Sequence, residues 1–488
     1  MHLILINTGK IVNKKALLTT IAINLFLVAM TTCNATDNNF QYSKLITEIK
    51  KIQETYNIPG LALVFVDQQG ITNQTYLGLA DRKTDTPVTQ NTIFRIGSIS
   101  KAITALAALK LAEQGKLTLS APVSNYLDHL PYKNTFSQQR SITIEQLLEH
   151  SAGFKDLTNK EFDFKEKNWT LEQSFNYDPD SRITAWQPGE YYSYTNSGAG
   201  IIAKVIETIT HQSFEEYVDE HIFIPLKLSH ATFFYTDRIK GDLATGYNND
   251  GESVLDYWHM IYRAFGAANM RAEDMAIIVK MLMNYGKSDA NTDVLNAGSI
   301  KRFETPTTTL AARNGLSYGY SLGNYQWLSN GVLFYGHGGD ADGYLARYGY
   351  TRELNQGYFL VINAYNNVAI NEIRKLAEQW ITRNTAPRPA PNIYTLEKIY
   401  IDQITGDYQE TTNRFTWTDK KTLSVFSKDN NLYTQIEGEA AIQIIPVSQK
   451  HFRRKNQPIA TISIIKDEQG NLVLQGDIGN FRHIYNIK

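Results

Sequence analysis

Residues 98–114 form a predicted helix that is apolar on every side, with Ile99, Ala102, Ile103, Leu106, Leu109 and Leu111 spread around it. A helix that is apolar all round must be covered on every side by other parts of the chain. Gly115 is a suitable residue to end it. The chain therefore has to build a large domain around this helix, and its 488 residues suffice for two or three domains.

The first 35 residues differ from the rest. Lys10, Lys14 and Lys15 precede an apolar run from Ala16 to Met30, and small residues follow it. The run is shorter than the roughly 20 apolar residues that a membrane-spanning helix needs, and the pattern is typical of a cleaved secretory signal. The sequence predicts a signal peptide over residues 1–35 and a secreted or periplasmic protein. An uncleaved membrane anchor is the second interpretation.

Several functions are excluded by composition. Cys33, the only cysteine, would be lost with the signal, which leaves no thiol for disulfides, catalysis or metal binding. No group of His, Glu and Asp has the spacing of metal ligands, so we predict no metal and no cofactor. With 48 basic and 49 acidic residues and no basic run, the chain has no electrostatic footprint for nucleic acid.

Residues 36–384 carry strand-like runs at both ends. The runs 61–67 and 71–80 read as one hairpin, and 343–350 and 358–365 read as another, followed by a helix at about 368–383. Helices and polar loops lie between them, and residues 155–187 are expected to form a surface loop or lid. This order predicts an α+β fold, with an antiparallel sheet built from both ends, flanking helices and a helical subdomain.

A proline-rich stretch, residues 385–392, reads as an extended linker. Beyond it, residues 393–488 consist of short alternating runs separated by Asn, Gly and Asp turns. This pattern predicts a small all-β domain, either a barrel or a sandwich.

The strongest candidate for chemistry is the pair Ser98 and Lys101. On a helix these positions share one face, so the lysine amine can reach the serine hydroxyl. A free lysine has a pKa near ~10.4 and is a poor base at neutral pH, but burial lowers the pKa. A second Ser-x-x-Lys, Ser463 and Lys466, lies in an alternating run whose residues i and i+3 face opposite sides, and is interpreted as chance.

Two further elements accompany this pair. Tyr194 and Asn196 could carry a proton and hold both the lysine and a substrate carbonyl. His337, Gly338 and Gly339 lead into a strand, and glycines allow close backbone approach so that the next N–H can complete an oxyanion hole. Taken singly, the tyrosine is more simply a packed aromatic and the glycines a loop.

Taken in order, these elements resemble the serine β-lactamase and penicillin-binding-protein superfamily, above all the class C β-lactamase-like serine hydrolases. The likeness extends over about residues 40–385 and includes the segments IPGLALVFVD, TIFRIGSISKAITALAALKLAEQGKLTLSAPVSNYL, ITIEQLLEHSAGF, PGEYYSYTNSGAGII and GHGGDADGY. The all-β segment resembles the lipocalin-like domains appended to some of these hydrolases. Whether it covers the active site, mediates assembly or is only accessory stays open.

The resemblance implies a role for each candidate. Ser98 would be the acylated nucleophile, Lys101 its base, Tyr194 the proton carrier and Asn196 a polar holder. His337 occupies the lysine or histidine position of the third motif. The N–H groups of Ser98 and Asp340 would form the oxyanion hole, beside Gly338 and Gly339.

Two departures concern the substrate. Gly338 stands where antibiotic-hydrolysing members usually carry a hydroxyl that grips the substrate carboxylate, and Asp340 adds a negative side chain nearby. Both disfavour β-lactam antibiotics and favour a substrate that lacks this carboxylate or has a free amine.

The sequence thus predicts an exported serine hydrolase that acts on a D-amino-acid peptide, a peptidoglycan-type peptide or an ester through an acyl-enzyme. The alternatives are a β-lactamase, a penicillin-binding sensor that is acylated without turnover and, with less support, a scaffold that acts through its β-domain. The expected partner is a small peptide, ester or β-lactam-like molecule. Membrane attachment through the N-terminal segment and homo-oligomerisation are left open.

Overall fold

The computed structural model describes residues 40–288, 293–386, 388, 391–415 and 419–484. The predicted signal peptide lies outside these residues, as do positions 387, 389 and 390 of the predicted linker. The chain divides into two compact units, Met1–Ile52 and Gln53–Lys488. Helix α1 occupies residues 40–55. No helix among the described residues is both long and apolar enough to cross a membrane.

The second unit contains a seven-stranded antiparallel sheet in the order β3-β2-β1-β9-β8-β7-β6. Its strands are β1 (Gly60–Asp67), β2 (Ile71–Asp81), β3 (Thr86–Pro87), β6 (Tyr325–Ser329), β7 (Val332–Ala341), β8 (Tyr344–Thr351) and β9 (Gln356–Ile362). Strand β1 pairs with both β2 and β9, which joins the two ends of the domain in one sheet. Strands β4 (Ile93–Arg95) and β5 (Asn269–Arg271) form a separate pair, and β4 ends just before the candidate nucleophile Ser98 in sequence. The predicted α+β architecture is confirmed.

Helices cover the sheet and build the rest of the domain. They are α2 (Ser100–Glu113), α3 (Ile144–Leu148), α4 (Asn159–Phe162), α5 (Leu171–Tyr177), α6 (Ser197–Thr210), α7 (Phe214–Val218), α8 (Asp237–Lys240), α9 (Ala272–Met283), α10 (Ala297–Phe303), α11 (Leu310–Arg313) and α12 (Asn367–Thr382). Helix α9 packs on β1 and β9, and α12 packs on β8 and β9. Along β1, Ala62, Val64 and Val66 join the main core, whereas Phe65 contacts Trp380 of α12. The period-2 alternation of the strand thus lets both faces of the sheet be covered.

Helix α2 is the centre of the main core. Every residue from Ser100 to Leu109 is buried, as is Leu111. A short 3₁₀ turn, Gly97–Ile99, precedes it, and Gly115 follows with φ +69°. The predicted all-round burial is therefore confirmed. It places Lys101 inside the protein, one turn from a serine at the edge of the core.

Residues 155–187 are not simply a surface loop, and that expectation is wrong in part. They form α4, α5 and a 3₁₀ turn, Pro179–Arg182. Arg182 donates to Glu161 at 3.0 Å, and at most 1% of either side chain is exposed. Arg182 also donates to the Tyr262 hydroxyl at 2.6 Å. The polar pattern was misleading because two of its charges, those of Glu161 and Arg182, are paired inside the domain rather than solvated.

The C-terminal segment forms a closed antiparallel barrel, in which each strand pairs with the next and the last pairs with the first. The strands are β10 (Gly406–Glu410), β11 (Thr422–Lys428), β12 (Asn431–Ile436), β13 (Ile442–Pro446), β14 (His451–Arg454), β15 (Ile462–Lys466), β16 (Leu472–Gly476) and β17 (Gly479–His483). A helix that the all-β expectation missed, α13 (Lys398–Ile404), packs Ile401 and Ile404, which are one turn apart, against the barrel core. The barrel alternative is confirmed.

The buried pair predicts a large stability effect. In Arg182→Met, the Glu161 carboxylate loses its cation in a site without solvent, so the free energy of unfolding should fall by about 3–5 kcal/mol in urea titrations. Adding Glu161→Gln should recover part of this loss. The matched control is Lys204→Met in the exposed pair with Glu172 (3.7 Å), for which a change below about 1 kcal/mol is expected. A loss below 1 kcal/mol in Arg182→Met would contradict this account.

Candidate active site

The backbone around Ser98 is pressed against strand β7. Gly97 has φ +52°, and a Cβ there would lie 2.5 Å from the amide nitrogen of Asp340. A Cβ at Gly339 would lie 1.7 Å from the carbonyl oxygen of Ile96 and 3.1 Å from the Ser98 nitrogen. Only glycine permits this approach at either position. The two glycines bring the start of α2 and the edge of β7 together.

This edge of β7 has free N–H groups. Strand β6 pairs with β7 only as far as Gly336, whereas Ala341 and Tyr344 close the turn into β8. Since the N–H groups alternate in direction along an antiparallel strand, the N–H of Asp340 points away from β8. It therefore faces the segment that carries Ser98.

The Lys101 amine lies 3.1 Å from Ser98 Oγ, 2.7 Å from Asn196 Oδ1 and 3.0 Å from the carbonyl oxygen of Phe265. Burial holds its pKa well below the ordinary value, and the positive charge of Arg414 lowers it further, while Asp156 acts in the opposite direction. A neutral amine has two hydrogens and one lone pair. The two carbonyl oxygens can only accept hydrogen bonds, so they take both hydrogens and leave the lone pair facing the Ser98 hydroxyl.

Tyr194 is the second group at Ser98. Burial raises the pKa of its phenol, and a hydrogen bond with Ser98 acts in the opposite direction. The Lys101 amine lies 4.8 Å from the centre of its ring. The His150 ring packs 4.2 Å from the Tyr194 ring, centroid to centroid. His150 thus packs directly against the tyrosine ring.

Asn196 is held by Asp156, a residue that the sequence did not single out. The Asn196 N–H donates to Asp156 Oδ1 at 2.8 Å, and the Asn196 side-chain amide donates to Oδ2 at 3.3 Å. This fixes the side chain of Asn196 with its oxygen towards Lys101. The Asp156 side chain is fully buried and also contacts Arg414 of the barrel.

His337 is a buried neutral imidazole. Burial lowers its pKa to about 3. Its Nδ1 bonds to the carbonyl oxygen of Gly338, and its Nε2 lies 2.8 Å from the Tyr320 hydroxyl. Since the carbonyl can only accept, Nδ1 carries the hydrogen and Nε2 accepts from Tyr320. At neutral pH the ring of His337 therefore carries one N–H hydrogen, on Nδ1, and that hydrogen is already donated to the carbonyl oxygen of Gly338.

Arg347 contacts both positions, 338 and 340, at which the sequence departs from the usual pattern of the antibiotic-hydrolysing proteins. It pairs with Asp340 at 2.8 Å, so the carboxylate beside the site has a partner. A Cβ at Gly338 would lie 3.1 Å from Arg347 Nη1. A larger residue at position 338 would have to displace this guanidinium. The missing hydroxyl and the added acid are therefore parts of one arrangement.

The predicted site residues come together at one cleft of about 910 Å³. Ser98, Tyr194, Asn196, His337, Gly338 and Asp340 line it, Lys101 contacts Ser98, and Gly339 lies behind. Ser100 is outside the cleft and bonds to Gly97 and Ala268. Within the described ranges, no group of three or more His, Cys, Asp or Glu residues could hold a metal ion.

Sequence reasoning missed Asp156, Tyr320, Arg347 and Arg414. Asp156 follows the quoted segment ITIEQLLEHSAGF by two positions, so its place in sequence was a usable signal. Arg414 belongs to the barrel domain. It lies more than 200 residues after Asn196, which is the last predicted site residue before β7. Only the packing of the barrel brings it to the site.

Known proteins resemble this chain over more than half of its length. Residues 45–378 match the family model described as Beta-lactamase. A protein named beta-lactamase from Yersinia enterocolitica is 28% identical over 249 residues, which cover 51% of this chain and 61% of that protein. Penicillin-binding protein 4 of Amycolatopsis lactamdurans is 26% identical over 314 residues, which cover 60% of this chain and 77% of that protein.

Among solved structures, an octameric penicillin-binding protein homologue from Pyrococcus abyssi is similar, with a TM-score of 0.61 and 23% identity. The match covers 90% of this chain and 99% of that one, and at this identity it concerns the fold alone. The chain spans 43% to 61% of the length of several curated relatives.

The neutral state of His337 can be measured. Its imidazole resonances should not titrate between pH 5 and pH 8 in NMR spectra of ¹³C-histidine-labelled protein, because its pKa lies at about 3. His337→Gln assigns the resonance, and the exposed His211 serves as an internal reference. Since the unfolded imidazole takes up a proton near pH ~6.5, this group makes the protein less stable as the pH falls below that value. A midpoint above pH 5 for His337 would contradict the assignment.

Proposed function

Because this chain belongs to the beta-lactamase family, we propose that it is a serine hydrolase that cleaves amide or ester bonds through an acyl-enzyme on Ser98. The observation that carries the proposal is the buried Lys101 amine 3.1 Å from Ser98 Oγ, with two carbonyl oxygens as its other hydrogen-bond partners. That is the arrangement that activates a serine without a histidine base.

In this mechanism Lys101 takes the proton as Ser98 Oγ bonds to the substrate carbonyl carbon. The N–H groups of Ser98 and Asp340 stabilise the resulting oxyanion. Tyr194, beside Ser98, relays the proton from Lys101 to the leaving amine or alkoxide as its bond to the carbonyl carbon breaks, which returns Lys101 to the neutral amine. Asn196 keeps the amine in place. Water then attacks the ester on Ser98 and gives up a proton to Lys101. As the bond between the acyl carbon and Ser98 Oγ breaks, Lys101 returns that proton to Ser98 Oγ and the acid is released.

The charges of the cleft support a substrate without a carboxylate near Gly338. The guanidinium groups that line it are already paired, Arg347 with Asp340, Arg374 with Glu378 and Arg414 with Asp156. Asp342 and Lys165 also line the cleft and offset each other in charge: burial raises the pKa of Asp342, whereas Arg95 and Lys165 lower it. A D-amino-acid amide, a short peptide with a free amine or an ester fits this balance better than a cephalosporin. Export and homo-oligomerisation stay predictions.

The nucleophile is tested by intact mass after exposure to a fluorophosphonate probe. The native chain should gain one adduct, and Ser98→Ala should gain none. Lys101→Met should be labelled at least ~100-fold more slowly, since general-base assistance contributes about 10²–10⁴-fold. Ser463→Ala, in the second Ser-x-x-Lys, is the matched control and should label like the native chain. Labelling of Ser98→Ala at the native rate would refute Ser98 as the nucleophile.

The substrate class is tested by comparing kcat/KM for a D-amino-acid amide, a short-chain ester and a cephalosporin. The first two should be turned over faster than the third. Faster cephalosporin turnover would favour a β-lactamase. A stoichiometric burst of acylation by penicillin without steady turnover of any of them would favour a penicillin-binding sensor instead.

A further inference from the structure

The barrel reaches the active site through residues 411–415, which follow β10. Trp186 Nε1 donates to the carbonyl oxygen of Thr411 at 2.8 Å, and Thr412 Oγ1 donates to that of Tyr192 at 3.3 Å. From β17, Asn480 Nδ2 donates to the same Tyr192 oxygen at 2.8 Å. The segment just before Tyr194 is therefore bonded to the barrel.

Arg414 extends from this loop into the cleft. The Nε and Nη2 atoms of Arg414 both lie 2.7 Å from Asp156 Oδ2. The backbone N–H of Asp156 donates to the carbonyl oxygen of Arg414 at 2.9 Å. The guanidinium carbon lies 4.5 Å from the centre of the Tyr194 ring. The Arg414 side chain is 42% exposed, whereas that of Asp156 is fully buried. One residue thus contacts both a buried carboxylate and the proposed proton carrier.

These contacts continue to the base. Asp156 accepts two hydrogen bonds from Asn196, and Asn196 accepts one from Lys101. The path from the barrel to the Lys101 amine therefore consists of three consecutive side-chain contacts. Three groups along it do not face solvent, because Lys101, Asp156 and Asn196 are each at most 5% exposed.

The charges along this path oppose one another. A buried carboxylate favours the protonated, charged form of a nearby amine, and a nearby cation disfavours it. Asp156 acts on Lys101 in the first sense and Arg414 in the second. The other titratable groups that face Lys101 are Asp340, His150, His337 and Tyr194. Of these, Asp340 has its own partner in Arg347.

We propose that Arg414 is a positioning residue of the active site: it balances the charge of Asp156 and fixes the Asp156–Asn196 arm that holds Lys101, so that the barrel completes the hydrolase site. The inference rests on the proposed function only for its catalytic consequence. Its physical content is the protonation state of one amine, which can be read without a substrate.

The experiment follows the Lys101 amine by NMR of full-length protein labelled with ¹³Cε-lysine, with the resonance assigned by Lys101→Met. In Arg414→Ala the titration midpoint of this amine should rise by on the order of one pH unit, because Asp156 is left uncompensated. Arg414→Lys, which keeps the charge, should stay closer to native. Adding Asp156→Asn to Arg414→Ala removes the uncompensated charge and should bring the midpoint back down.

The rate of labelling by the fluorophosphonate probe gives the functional readout. In Arg414→Ala the acid limb of its pH profile should move up with the amine. Labelling below the native midpoint should then slow about tenfold for a rise of one pH unit in the midpoint. Glu468→Gln is the matched control, since Glu468 joins the barrel to the hydrolase domain through Arg140 and Gln187 away from Ser98. It should leave both midpoints unchanged.

Two results separate the possible failures. A Lys101 midpoint in Arg414→Ala equal to that of native protein and of Glu468→Gln would overturn the role of Arg414 and reduce it to a docking contact. Absence of any Ser98 adduct in the native chain would overturn the proposed function, while the NMR midpoints would still decide the question of Arg414.

Discussion

The burial of the Lys101 amine is the constraint on which the rest of the site depends. An ammonium group moved out of water loses several kcal/mol of solvation, so a lysine inside an apolar helix is held as the amine unless acids surround it. The surroundings here are carbonyl oxygens rather than free carboxylates. They use the hydrogens of the amine and so determine which atom its lone pair faces.

The neighbouring residues preserve this state. Asn196 presents its side-chain oxygen to the amine because Asp156 accepts hydrogen bonds from both the backbone N–H and the side-chain amide of Asn196. Asp156 brings a negative charge into the core, and Arg414 neutralises it from the barrel. Tyr194 lies between the Lys101 amine and the Arg414 guanidinium, with its ring against both. A substitution of any of these side chains would therefore alter the position or protonation of the Lys101 amine, and it would affect Ser98 through that amine.

Much of this could be predicted from sequence because the signals were local. The pair Ser98 and Lys101 needs only one helical turn, and the two hairpins of the sheet follow from period-2 alternation near turns. The features that the sequence did not reveal depend on contacts between separate elements of the fold. The charges of residues 155–187 suggested solvent, yet Glu161 and Arg182 neutralise each other inside the domain. The contacts of Arg347 and Arg414 depend on strand pairing and domain packing, which the spacing of residues along the sequence does not show.

The pairing of β1 with β9 imposes an order of events during synthesis. The N–H of Gly60 donates to the side chain of Asn363 at 2.7 Å, across 303 positions of chain. Contacts this distant in sequence make folding slow, since a long loop must close before any of them forms. The central strand must therefore wait, unpaired on one side, until almost the whole hydrolase domain has been made. Arg414 arrives later still, so a nascent chain would have Ser98 and Lys101 in place before the charge of Asp156 beside them is balanced.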